Sequence, residues 1–119
     1  MNTILILGGY GYTGKPLTKH LLKQTKYNII VAGRNAEKAQ AFASEMNDPR
    51  VTALRVDAAD PASLRLALQG VESSASLRPG LCLVAAPVTS LNSEAVIRTC
   101  MDAGVDYLDI QLSAAKNKL

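Results

Sequence analysis

Tryptophan is absent from this 119-residue chain, histidine occurs once, cysteine twice, and aromatic residues make up only 4%. With so few rings, a core must rest on Ile, Leu, Val and Ala. The net charge of +3 comes without any block of consecutive Lys or Arg, which argues against a nucleic-acid partner. No segment approaches the roughly 20 apolar residues that a membrane span requires. The N-terminal apolar run follows no basic segment and gives way to glycines within a few residues, unlike a signal peptide. Cys82 lies in an apolar run and Cys100 in a helical pattern, without C-x-x-C spacing. Both read as buried free thiols of a reducing compartment, so the expected location is the cytoplasm. His, Cys, Asp and Glu nowhere cluster with metal-ligand spacing, so no metal is expected.

What is present is an ordinary globular balance, 48% apolar and 19% charged, in a chain long enough for one domain over residues 1–119 and too short for two. Apolar runs alternate with helical patterns from end to end. The strands are expected at Thr3–Leu7, Asn28–Ala32, Val51–Val56, Leu81–Ala86 and Val105–Ile110. A first helix runs from Gly14 to Gln24 with Pro16 in its first turn, Leu17, Leu21 and Leu22 inward, and Lys15, Lys19, Lys23 and Lys26 on a solvated face. Asn35 can cap a second helix in which Ala39, Phe42, Ala43 and Met46 recur at helical spacing, with Asp48-Pro49 as the turn out of it. Asp60-Pro61 supplies a cap and first-turn proline for a short third helix through Leu64, Ala67 and Leu68, closed by Gly70. Glu72 to Gly80 reads as a surface loop or a stray helical turn. Ser90 or Asn92 caps a fourth helix that Gly104 ends, and the tail from Gln111 to Leu119 has no strong pattern.

Strands at helix-spaced intervals with short connections imply right-handed βαβ units. The expected architecture is a three-layer α/β Rossmann fold, a doubly wound parallel sheet of about five strands in the order 3-2-1-4-5.

The most informative stretch is Gly8-Gly9-Tyr10-Gly11-Tyr12-Thr13-Gly14, between the first strand and the first helix. Gly9, Gly11 and Gly14 stand in the G-x-G-x-x-G spacing of a dinucleotide turn. In such a turn one glycine permits the bend, the next lets backbone approach the pyrophosphate, and the last lets helix pack on strand. The helix behind it offers unpaired N–H groups and a positive dipole end to the anion, and Lys15 stands near enough to meet phosphate. A structural glycine turn is the bland alternative. Gly9 to Lys15 also satisfies the start of a P-loop, G-x-x-x-x-G-K. That loop needs a Ser or Thr hydroxyl for magnesium at the following position, where this chain has Pro16.

In NAD-binding domains an acidic residue about 20 positions beyond the glycines accepts from the ribose 2′-OH. Here that region is Gly33-Arg34-Asn35. A carboxylate would repel a 2′-phosphate, whereas a guanidinium pairs with it, so Arg34 favours NADP over NAD unless it is an exposed loop arginine. Asp57, at the end of the third strand, suits the adenine edge or a loop cap. Ala85, Ala86 and Pro87 would line the crevice where the strand order reverses, leaving room for ribose and nicotinamide; tight packing would select the same residues. The Tyr-x-x-x-Lys proton-transfer pair of short-chain reductases is missing, since no tyrosine is followed four residues later by lysine. His20 reads as a surface or boundary residue, and Asp109 as a strand-terminal cap or a residue facing the crevice.

Ile4 through Gly14, Ala32-Gly33-Arg34-Asn35, Val56-Asp57, Ala85-Ala86-Pro87 and the run Cys100 to Asp109 together resemble the NADP-binding domain of the saccharopine dehydrogenase-like proteins. The resemblance covers nearly the whole chain. It implies a Rossmann domain followed by a larger catalytic or substrate domain, in reductases that act on imine or carbonyl compounds. Carried over, Gly9, Gly11, Tyr12, Thr13 and Gly14 would cradle the pyrophosphate, and Arg34 and Asn35 would meet the 2′-phosphate. Asp57 would lie by adenine, and Ala86 and Pro87 by the nicotinamide ribose. The chain departs from the family in its longer Glu72–Gly80 segment and in stopping soon after the fifth strand. The chain is then either an excised N-terminal piece or a natural short form; the lack of any catalytic constellation favours the first, and the expectation is a domain inactive alone, with a surface near its tail apolar enough to allow homo-oligomers. A non-enzymatic NADP-binding sensor is the alternative.

Overall fold

The computed structural model describes residues 3–11, 14–57, 60–69, 79–85 and 90–109, leaving aside the side chains of 90–93 and 109. Five strands, β1 (Thr3–Leu7), β2 (Asn28–Gly33), β3 (Val51–Arg55), β4 (Leu81–Val84) and β5 (Asp106–Asp109), form one sheet in the order β3-β2-β1-β4-β5. Every neighbouring pair is parallel, with Leu5 opposite Ile30 on one side and Cys82 on the other. The helices are α1 (Gly14–Gln24), α2 (Ala36–Met46), α3 (Pro61–Leu68) and α4 (Ser90–Ala103).

Both faces of the sheet are covered, so its inner strands β1, β2 and β4 are apolar along almost their whole length and sort their side chains by alternation. Ile4, Ile6, Ile29, Val31 and Leu83 point to the layer of α1 and α2, where they meet Ala39, Phe42 and Ala43. Leu5, Leu7, Ile30, Ala32, Cys82 and Val84 point to α3 and α4, where they meet Leu64, Leu68, Val96 and Cys100. The core is aliphatic as expected, apart from the chain's single phenylalanine, Phe42, which is fully buried. Leu17, Leu21 and Leu22 are only partly buried, and α1 instead turns Gly14 and Thr18 fully inward.

Local chemistry sets most element ends. Asn35 caps α2, its Oδ1 accepting from the Lys38 N–H at 3.0 Å, and Asp60 caps α3, accepting from the Ala62 N–H at 3.1 Å ahead of Pro61. At the end of α4, Gly104 takes φ 72°; its N–H donates to Met101 O and that of Val105 to Cys100 O, a Schellman closure.

Four expected strand boundaries differ, and so does the start of α4. β2 runs one residue further, to Gly33, while β3 ends at Arg55 and β4 at Val84. Beyond those ends the chain still bonds outward, Val56 N–H to Gly33 O and Ala85 N–H to Leu7 O, but no longer as ladder residues. β5 begins at Asp106 because Val105 is spent on the helix closure. Ser90 and Asn92 both lie within α4 rather than capping it. α3 ends at Leu68 with Gln69 as its C-cap, whose N–H returns to Arg65 O; Gly70, residues 71–78 and the tail from residue 110 lie outside the described residues.

Candidate functional site

In an open parallel sheet, ligands sit beyond the carboxyl ends of the strands where the order reverses, here between β1 and β4. The glycine turn leaves β1 at that edge. The residue that bends it is Gly8, one position before the glycine assigned that task from spacing: its φ is 80°, a region costly for any residue with a Cβ. Gly9 is needed for a different reason, because a Cβ there would lie 2.9 Å from Val31 Cγ1 and 3.2 Å from Ile6 O. The turn is bonded internally, Gly9 N–H to Ile6 O at 3.2 Å and Gly11 N–H to Gly8 O at 2.9 Å.

Gly14 is the closest approach of helix to turn. A Cβ there would overlap Gly8 O and lie 2.6 Å from Gly9 Cα, backbone that no rotamer change can clear. Gly11 differs: its Cβ would meet only Gly8 O, at 3.2 Å, and it is partly exposed. The geometry thus separates a packing glycine from one whose open face is available to a ligand. Tyr12 and Thr13 lie outside the described residues.

Across from the turn, β2 ends at Gly33, and Arg34 and Asn35 lead into α2. Arg34 is exposed and makes no ion pair among the described residues. Asn35 is committed on two atoms. Its Oδ1 caps α2, and its backbone N–H donates to the Tyr10 hydroxyl at 3.1 Å. The hydroxyl end of the Tyr10 ring packs against Gly33, where a Cβ would overlap Cε1 and fall 2.5 Å from the hydroxyl oxygen and 2.7 Å from Cζ. Tyr10 therefore ties the glycine turn to the β2–α2 loop. Sequence reasoning passed over Tyr10 and Gly33; the available signal was a large ring between two glycines, with a further glycine at the end of the neighbouring strand.

Between the turn and α2 lies a groove of about 450 Å³ lined by Tyr10, Gly11, Lys15, Lys38, Ala41, Phe42 and Glu45. The Lys15 ammonium sits 5.5 Å from the centre of the Phe42 ring, a cation–π placement that turns it toward α2. Lys15 and Lys38 so bring two positive charges to the groove, against one carboxylate from Glu45.

Asp57, partly buried, follows β3 at the same edge. Its N–H donates to Ser63 Oγ at 3.2 Å and its carbonyl accepts from Asp60 N–H at 2.9 Å, which makes it part of the turn into α3. Ala85 is buried beside β1; Ala86 and Pro87 lie outside the described residues, as does the side chain of Asp109. His20 is exposed on α1. Among the described residues no group of three His, Cys, Asp or Glu side chains could hold a metal, and no helix is long and apolar enough to cross a membrane.

A parallel sheet in this order, with a glycine turn packed on the first helix, defines a dinucleotide-binding Rossmann domain. Several solved structures share it. A wide-type short-chain dehydrogenase/reductase from Veillonella parvula, in complex with NADP, matches with a TM-score of 0.73 at 19% identity over 98% of this chain and 50% of that one. A glucose/ribitol-type short-chain dehydrogenase/reductase from Brucella melitensis gives 0.75 at 14% identity over 99% and 59%. Yeast methylglyoxal/isovaleraldehyde reductase complexed with NADPH gives 0.70 at 15% over 92% and 36%. At these identities the likeness is one of fold, and the chain spans less than two thirds of each. The family is given by sequence: residues 4–119 match the saccharopine dehydrogenase NADP binding domain, and the chain belongs to that family. NADP is accordingly its cofactor.

Proposed function

We propose that this chain holds NADP for a saccharopine dehydrogenase-like oxidoreductase that moves a hydride between the cofactor and an imine or carbonyl carbon. The bound cofactor supplies the hydride, and the protein supplies binding and orientation. The described residues serve the two anionic parts of the dinucleotide. The turn from Gly8 to Gly14 opens backbone toward the pyrophosphate, with the N-terminus of α1 behind it. Arg34, with Asn35, meets the 2′-phosphate, Asp57 borders the adenine, and Ala86 and Pro87 border the nicotinamide ribose. Tyr12 and Thr13 complete the pyrophosphate cradle.

The observation that carries this reading is Arg34: an exposed guanidinium with no ion pair among the described residues, next in the chain to Asn35, whose N–H is bonded to Tyr10 of the glycine turn. No Tyr-x-x-x-Lys pair occurs in the sequence, so the reading gives no proton-transfer role to such a pair. The experiment is to follow loss of reduced-nicotinamide absorbance on mixing the whole protein with NADPH and, separately, panels of 2-keto acids with amino acids and of simple aldehydes. Turnover with NADPH in either panel supports the reading. Tight NADPH binding with no turnover across both panels contradicts hydride transfer to these classes.

A further inference from the structure

The hydroxyl of Tyr10 sits where the turn and the Arg34 loop meet, and its bonding is asymmetric. A phenol oxygen accepts through its lone pairs and donates through one O–H. At Tyr10 the oxygen accepts from Asn35 N–H at 3.1 Å, and no described residue takes the phenolic proton. Its donor capacity is therefore unspent among the described residues, on a side chain that lines the groove with Gly11, Lys15 and Lys38 and bonds the residue next to Arg34. We propose that Tyr10 is a specificity-determining residue for NADP, donating its hydroxyl proton to the 2′-phosphate alongside Arg34; the proposal rests on the NADP reading of this site.

The surroundings favour this use. The ring is fixed against Gly33, so the hydroxyl is held in place rather than free to rotate away. Acceptance of the Asn35 N–H polarises the O–H and makes it a better donor. Lys15 and Lys38 line the same groove against the single carboxylate of Glu45, so an acceptor that arrives there meets a net positive lining. A ribose 2′-OH already carries its own donor and gains far less from a second one than a phosphate oxygen does.

The test uses adenosine 2′,5′-bisphosphate and 5′-AMP, which differ only in the 2′-phosphate, titrated by NMR into wild type, Tyr10→Phe, Arg34→Ala and the double variant. Tyr10→Phe keeps the ring on Gly33, and thermal melting checks that the fold is kept. The expected result is a roughly five- to thirtyfold loss for the bisphosphate with little change for 5′-AMP, persisting when Arg34 is already removed. Unchanged bisphosphate affinity in Tyr10→Phe, with a loss in Arg34→Ala, overturns the role of Tyr10 and leaves the NADP reading standing. A Tyr10→Phe loss that vanishes in the Arg34→Ala background overturns the direct contact and makes Tyr10 a positioning residue only. A wild type that binds both nucleotides equally overturns the proposal and the NADP reading together.

Discussion

The Arg50 guanidinium donates to the Thr25 carbonyl at 2.6 Å, closing the end of α1 from a residue twenty-five positions away. The same group donates to Leu22 O at 2.8 Å and pairs with Asp48 at 3.1 Å, so one side chain joins α1 to the turn before β3. This lock lies at the amino ends of the strands, opposite the nucleotide edge. Arg50→Ala leaves two helix-end carbonyls without a donor and should lower unfolding free energy by about 1–3 kcal/mol. Denaturant unfolding measures the loss. NADP affinity at temperatures where the variant is folded should not change.

Asp48 gives that lock a pH dependence. The Arg50 side-chain and backbone bonds hold its carboxyl below the usual carboxylate range. A group whose pKa is lower folded than unfolded stabilises the protein above its unfolded pKa, and that contribution fades as pH falls toward the folded value. Stability measured from neutral pH down through the acid range should therefore fall less steeply in Asp48→Asn than in wild type.

Gly11 and Gly14 should separate binding from folding. A methyl at position 14 meets backbone at 2.6 and 2.7 Å, so α1 must move; Gly14→Ala should cost about 1–3 kcal/mol of stability and also weaken NADP. Gly11→Ala has only one contact, at 3.2 Å, and should fold nearly as well while losing most NADP affinity, because the methyl would stand on the face proposed for the pyrophosphate. Paired melting and calorimetric titration distinguish the two.

Cys82 on β4 and Cys100 on α4 are both fully buried free thiols of one core cluster. Interaction with the Cys100 thiol and burial push the Cys82 thiol well up, away from its reactive thiolate. Labelling of native protein by an aromatic disulfide should be slow at both sites and should accelerate with denaturant in step with unfolding. Fast labelling of either in the native state would contradict this packing.

The sheet order, the helix caps at Asn35 and Asp60, and the nucleotide edge were legible because each rests on local chemistry: alternation, capping side chains and glycine spacing. What escaped was long-range. Nothing in the periodicity of residues 48–51 signals that Arg50 reaches the carbonyls of Leu22 and Thr25. The role of Tyr10 depends on which way the turn throws its ring, and that becomes visible only once β2 lies beside β1 and brings Gly33 under it. Gly8 was hidden by a motif that begins one residue later; a positive φ belongs to backbone geometry, and two adjacent glycines offer it equally. Strand ends shifted by a residue or two because bonds such as Val105 to Cys100 take the residue into a helix closure instead.

The most direct measurement is the affinity ratio of NADP to NAD for wild type, Arg34→Ala and Arg34→Asp, by calorimetry at two salt concentrations. Wild type should prefer NADP, and Arg34→Ala should lose roughly 1–3 kcal/mol for NADP alone, about ten- to a hundredfold, with the loss shrinking at high salt. Arg34→Asp should lose more for NADP and bind NAD as well or better, since a carboxylate repels the phosphate and accepts from the 2′-OH. Equal wild-type affinity for both cofactors, together with unchanged NADP affinity in Arg34→Ala, would contradict the account.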